Sequence, residues 1–164
     1  MTADQTRRAA HRLSAAILVA TLAVAGCSPA PEAAGSPSPV GGIVRVDLGS
    51  TLPSRAPGDR LGIWRYTIPA GSELVPHTHP GWQVAYVASG TLTYTIIAGT
   101  ATIRRADGTE EEHSDGSTVT VNAGDTVVEN PDLQHKGANL GSEPIEIWSS
   151  TLFTDGAPPS SPLP

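Results

Sequence analysis

Three of the five histidines in this chain stand where imidazole chemistry could concentrate. His77 and His79 lie two apart in residues 71–90, so in an extended segment both rings leave the same face. Gln83 joins that face after a turn at Pro80-Gly81. A third histidine, His135, lies far downstream in residues 124–139. Converging neutral imidazoles suit a divalent transition metal such as Zn, Cu, Fe or Ni. No serine or cysteine nucleophile pattern competes with this reading.

Other candidates carry less. Glu73 precedes the first two histidines and, at the mouth of a cavity, could act as an acid or base. In that place a solvated turn residue is the commoner reading. His113 follows Glu110-Glu111-Glu112 in a charged excursion, residues 105–116, which reads as a solvated hairpin. Trp64, Tyr66, Tyr94 and Trp148 lie on strand-like segments, where aromatic side chains fill a core, line a pocket or cover a partner subunit.

The elements that must position the histidines are strands. β-branched segments broken by Gly, Pro, Asn or Asp are expected at 43–48, 61–68, 74–79, 83–88, 91–97, 100–104, 117–121, 126–129, 135–139 and 145–153. No helix is evident. Such a pattern predicts an all-β antiparallel sandwich or barrel. Alternation along the ligand strand places Ala85 and Val87 inward beside Gln83. Trp82, Val84 and Tyr86 then face outward, compatible with a homodimer.

At 164 residues the chain holds one domain of ordinary size. Residues 1–26 read as a signal peptide: Arg7, Arg8 and Arg12 precede an apolar run too short to span a bilayer. Val24-Ala25-Gly26-Cys27 resembles a bacterial lipoprotein processing site. That implies lipidation of Cys27 and anchoring to the outer face of the cell membrane. Cys27 is the one cysteine, so no internal disulfide can form. Residues 27–42 read as a disordered linker rich in Pro, Ser and Ala, 43–154 as the domain, and 155–164, with four prolines, as a disordered tail. From Cys27 onward, seven Arg and Lys stand against fifteen Asp and Glu, 7 − 15 = −8. That balance excludes nucleic acid as a natural partner.

The spacing of the two histidine segments is specific. The first fits Gly-x5-His-x-His-x3-Glu-x6-Gly at Gly71, His77, His79 and Gly90, with Gln83 where glutamate is usual. The second fits Gly-x5-Pro-x-Gly-x2-His-x3-Asn at Gly124, His135 and Asn139, with Asn130 and Asp132 in place of the proline and glycine. Together they resemble the cupin superfamily over residues 61–153. The resemblance implies a single cupin-type jelly-roll β-barrel holding one divalent metal (Fe, Mn, Ni, Zn or Cu) at His77, His79, Gln83 and His135. It admits oxygenase, isomerase or lyase chemistry, and equally a non-catalytic ligand-binding or sensory module. With glutamine in the carboxylate position the ligand set is neutral. The full divalent charge should then favour a small anionic guest.

Overall fold

A computed structural model describes residues 38–40 and 42–164. The signal segment 1–26 and Cys27 lie outside the described residues. Among these the architecture is all-β: β1 (Ser38–Val40), β2 (Ile43–Thr51), β3 (Asp59–Ile68), β4 (His77–Thr78), β5 (Gly81–Ser89), β6 (Thr91–Ala98), β7 (Thr100–Arg104), β8 (Glu110–Ser114), β9 (Thr118–Asn122), β10 (Thr126–Glu129), β11 (Gln134–Ala138), β12 (Ile145–Thr154) and β13 (Ser161–Pro162). They form two antiparallel sheets, ordered β1-β2-β3-β12-β5-β10-β7-β8 and β13-β4-β11-β6-β9. This is a jelly roll, the fold class the sequence predicts.

Strict alternation builds the interior. On β5, Gln83, Ala85 and Val87 are buried while Trp82, Val84 and Tyr86 are exposed, as expected. On β12, Ile145, Ile147, Ser149, Thr151 and Phe153 point inward. Two-residue periodicity lets each strand bury one face and wet the other, the usual solution for antiparallel sheets. Ile68, Ile96, Ile103, Val121, Leu133 and Ile145 are almost wholly buried and close the core.

Two motif residues serve the fold. Asn139 is buried: its Nδ2 donates to the Ile68 and Glu143 carbonyls and its Oδ1 accepts from Gly141 N. Gly124 turns between β9 and β10 with φ +95°, and a Cβ there would sit 2.9 Å from Ala106 Cβ. Beside it Asp125 accepts from the backbone of Asn122 and Ala106 and from Arg105 Nη1.

Several boundaries differ from expectation. The strand expected at 74–79 is only the two residues of β4, because Pro76 and Pro80 bracket it and cannot donate to a ladder. The excursion 105–116 is a hairpin, as expected, but its far arm is a full strand: β8 pairs with β7 from Thr100↔Ser114 to Arg104↔Glu110. The linker expected to be loose to residue 42 supplies β1, paired with β2. The tail expected to be disordered is bound instead: Ser161 pairs with Thr78, Pro162 with His77, and Leu163 N donates to the Pro76 carbonyl. Proline lacks a donor but keeps its carbonyl, so a proline-rich strap can still be held by its acceptors.

Candidate metal centre

The three histidines converge, although not from one strand face. His77 lies on β4 and is the cross-strand partner of His135 on β11, both in the smaller sheet. His79 follows β4 directly. The chain then crosses to the larger sheet at Pro80-Gly81, so Gln83 on β5 meets the histidines from the opposite wall. One nitrogen of each ring lies within 4.8 Å of one nitrogen of the others, and all three residues are buried. Three buried imidazoles in this arrangement can hold a metal ion.

Hydrogen bonds orient two of the rings. His77 Nδ1 lies 2.8 Å from the Val75 carbonyl, and His79 Nδ1 lies 2.7 Å from the Pro159 carbonyl. A carbonyl only accepts, so each Nδ1 carries the proton and each neutral ring keeps its Nε2 lone pair for the interior. Phe153 stacks on His79 and Tyr94 on His135, at centroid separations of 5.4 and 5.1 Å.

The interior also contains a carboxylate that sequence reading missed. Glu129, on β10, is buried and stands directly across from Gln83 in the β5–β10 register. Gln83 Nε2 donates to Glu129 Oε2 at 2.8 Å and Tyr94 Oη donates to Glu129 Oε1 at 2.8 Å. The same oxygens approach His79 Nε2 at 3.3 Å and His135 Nε2 at 3.5 Å. Glu129 falls among the unspecified positions of the second motif. One signal marked it: a charged residue two from Val127, at an inward position of a short apolar strand.

The expectation of a neutral donor set is therefore corrected. Glu129 brings the negative charge that Gln83 lacks, and the Gln83 amide uses its N–H on that carboxylate. Gln83 Oε1 is buried with no hydrogen-bond partner.

Burial and charge push the titrations apart. Burial, reinforced by His135, lowers His77 from 6.5 to about 4. Burial also lowers His135, against the pull of Glu129. For His79, burial is outweighed by the hydrogen bond and charge of Glu129, and its pKa is raised. Burial opposes ionisation of Glu129, yet the surrounding histidines hold its carboxyl far below the usual range. Burial and Glu129 together raise the Tyr94 hydroxyl.

The arrangement fits a metal. With Nδ1 protonated, the His79 Nε2 lone pair faces a carboxylate oxygen at 3.3 Å, which is repulsive unless a proton or a cation lies between them. Two ligand atoms each about 2.1 Å from one ion sit about 3.0–3.4 Å apart at right to tetrahedral angles. The Glu129–His79 and Glu129–His135 separations are close to that edge length.

The cluster lines a cavity of about 440 Å³ between the sheets, bounded mainly by aliphatic side chains and by Pro159, Ser160 and Pro162 of the C-terminal strap. Tyr66 and Tyr94 line it. Trp148 lies on the outer face, 40% exposed, and Trp64 packs edge-on against Phe153. Glu73 sits at the rim, paired with Lys136. His113 is on β8, bonded to Glu111 and apart from the cluster.

No protein-family model matches the chain, and no curated protein matches it. Solved structures do. An oxalate decarboxylase of Bacillus subtilis, also studied for its Mn(II) centres, aligns with TM-score 0.54 and 20% identity over 79% of this chain and 30% of its own. An oxalate oxidase in complex with the substrate analogue glycolate aligns with TM-score 0.52 and 20% identity, over 76% of this chain and 57% of its own. A Lactobacillus farciminis oxalate decarboxylase, as a formate complex, gives TM-score 0.55 and 16% identity over 78% and 33%. The chain thus spans about a third of the decarboxylases and just over half of the oxidase. These likenesses show the fold, a jelly roll of cupin type.

Proposed function

We propose that this domain is a metal-binding cupin whose divalent transition ion is held by His77, His79 and His135, with Glu129 as its carboxylate and Gln83 fixing Glu129. The observation that carries this reading is the buried Glu129 set against His79 and His135, with the His79 Nε2 lone pair facing its carboxylate. Gln83, expected among the ligands, serves here as the clamp on Glu129. A bound divalent ion would polarise an oxygen of a guest and offset negative charge on it.

The chain's own residues define what happens around that ion. Val75 and Pro159 carbonyls hold the ring orientations, Tyr94 and Gln83 hold the carboxylate, and the strap forms part of the cavity wall. The solved neighbours named above act on or bind small carboxylates, which supports a small organic anion as guest. Whether the guest is turned over or only captured separates an oxygenase, isomerase or lyase from a sensory module. Among the described residues lining the cavity, the ionisable side chains outside the cluster are Arg45, Tyr66 and Glu73, and Glu73 is already paired. That sparse acid–base equipment favours capture as the second reading.

The exported setting belongs to the same proposal. The basic start, apolar run and Val24-Ala25-Gly26-Cys27 support a lipoprotein anchored at Cys27 on the outer face of the membrane. Fatty-acid labelling that persists in Cys27→Ser would remove the anchor from this account. For the metal centre, elemental analysis of washed, tag-free protein should find close to one transition-metal equivalent, lost in His77→Ala. A metal-free wild type that takes up no Mn, Fe, Ni, Cu or Zn on titration would end the proposal.

A further inference from the structure

We infer that the cavity takes an organic monocarboxylate with an apolar body, its carboxylate bound by Arg45 and its far end turned to the histidine cluster. This rests on the metal-centre reading only for what the far end meets. Arg45 is half-buried, lines the cavity, and packs its guanidinium 4.5 Å over the Trp64 ring. Its Nη1 is buried with no hydrogen-bond partner, and no carboxylate pairs with it among the described residues. A buried donor of a charged group left unbonded is costly, and an anion in the cavity is the partner that would satisfy it. Arg45 is also the direct cross-strand neighbour of Tyr66, whose hydroxyl burial keeps protonated and so able to donate to the same anion.

Position and volume set the guest's size. β2, which carries Arg45, lies three strands from β5, which carries Gln83, at about 4.8 Å per strand. The cationic pole and the histidine pole are therefore anchored on different parts of the cup. Much of the remaining cavity wall is aliphatic, including Ile68, Val87, Leu92, Val127 and Ile147. A cavity of about 440 Å³ falls in the range of about 300–1,000 Å³ that accommodates drug-sized ligands. A two-carbon dianion would leave most of this volume and its aliphatic wall unused. Three further residues lining the same space carry an orphaned atom: Ser149 Oγ, Gln83 Oε1 and His135 Nδ1. The Gln83 oxygen can only accept, so a hydroxyl or amine donor on the guest's body would satisfy it.

The test uses calorimetric titration of the full chain with phenylacetate, neutral phenylacetamide and oxalate, on metal-loaded and chelator-stripped protein. Phenylacetate should bind at least about tenfold more tightly than the amide and than oxalate, the scale of one charge-assisted contact. Arg45→Gln should remove the acid-over-amide preference, leaving amide affinity and metal content unchanged, and Arg45→Lys should keep part of it. Oxalate binding as tightly as phenylacetate, or phenylacetate affinity unchanged in Arg45→Gln, would overturn the inference. Should Arg45→Gln not fold, the acid–amide comparison on the unaltered chain still decides. An acid preference that disappears with the metal would place the anion on the ion and defeat the Arg45 site alone. A preference that persists in protein retaining no metal supports the Arg45 site while the metal reading fails.

Discussion

Gln83 and Glu129 are cross-strand partners on β5 and β10, and the amide Nε2 of one donates to the carboxylate of the other at 2.8 Å. The carboxylate that the first motif usually carries at the Gln83 position is absent there, and a carboxylate stands instead on the neighbouring strand, a single ladder rung away. Its position relative to His79 and His135 places that charge at the histidine cluster all the same.

Charge exchange across this rung is the first test. Glu129→Gln should weaken Mn(II) or Zn(II) binding by at least about 100-fold, beyond the roughly 10–100-fold typical of groups that only orient ligands. The exchange Gln83→Glu with Glu129→Gln should recover most of that loss, since carboxylate and amide simply trade places. Isothermal titration measures both. Equal affinity for wild type and Glu129→Gln would exclude Glu129 from the site.

The acid side of the stability curve reports on His77. Its folded pKa is lowered from 6.5 to about 4, so the unfolded chain takes up this proton first. Stability of metal-free protein should therefore rise with pH across that window on account of His77. His79, whose pKa is raised, acts in the opposite sense: its contribution is present at low pH and lost as pH rises. Comparison with His77→Asn isolates the first effect. The stability advantage of wild type over the variant should shrink by on the order of 3 kcal/mol between pH 6.5 and 4. Denaturant melts showing a pH-independent difference would contradict this assignment.

Removal of residues 157–164 tests the strap. It takes away the Pro159 carbonyl that orients His79 and the pairing of β13 with β4. Metal affinity should fall by about tenfold, as for loss of a group that orients a ligand. Amide exchange should rise at Thr78. If the truncated chain binds metal as the full one does, the strap has no part in the site.

The outer face of the larger sheet predicts self-association. Trp82, Val84 and Tyr86 on β5 adjoin Trp148 on β12, with Leu61 and Ile63 on β3, and each is at least 40% exposed. A contiguous apolar patch of this kind marks an interaction surface. Light scattering should give a dimer at micromolar concentration, converted to monomer by Tyr86→Arg. A monomeric wild type would leave the patch for another partner.

The strands were largely legible because alternation needs only local information. Val87 and Ile147 are apolar at every second position, and each faces the core whatever the rest of the chain does. The three histidines were legible through their spacing, since a fold of this type returns those positions to one place. Gly124 and Asn139 were likewise marked by motif spacing, while their roles as a turn and a buried amide came from the structure. The β8 arm was not legible because Glu110-Glu111-Glu112 has the composition of a solvated loop, and only pairing with β7 makes it a strand. The strap was not legible because its prolines resemble a linker until Ser161 and Pro162 pair with β4 and His79 Nδ1 donates to the Pro159 carbonyl.

The sequence alone determined an all-β fold of alternating strands, since alternation and turn residues act within a few positions, and the motif spacing it shares with cupins implied that His77, His79 and His135 would meet. Tertiary structure alone decided that Glu129 supplies the charge and Arg45 faces the cavity. Both depend on which strands become neighbours and in what register, and register is a property of the assembled sheet rather than of any one segment.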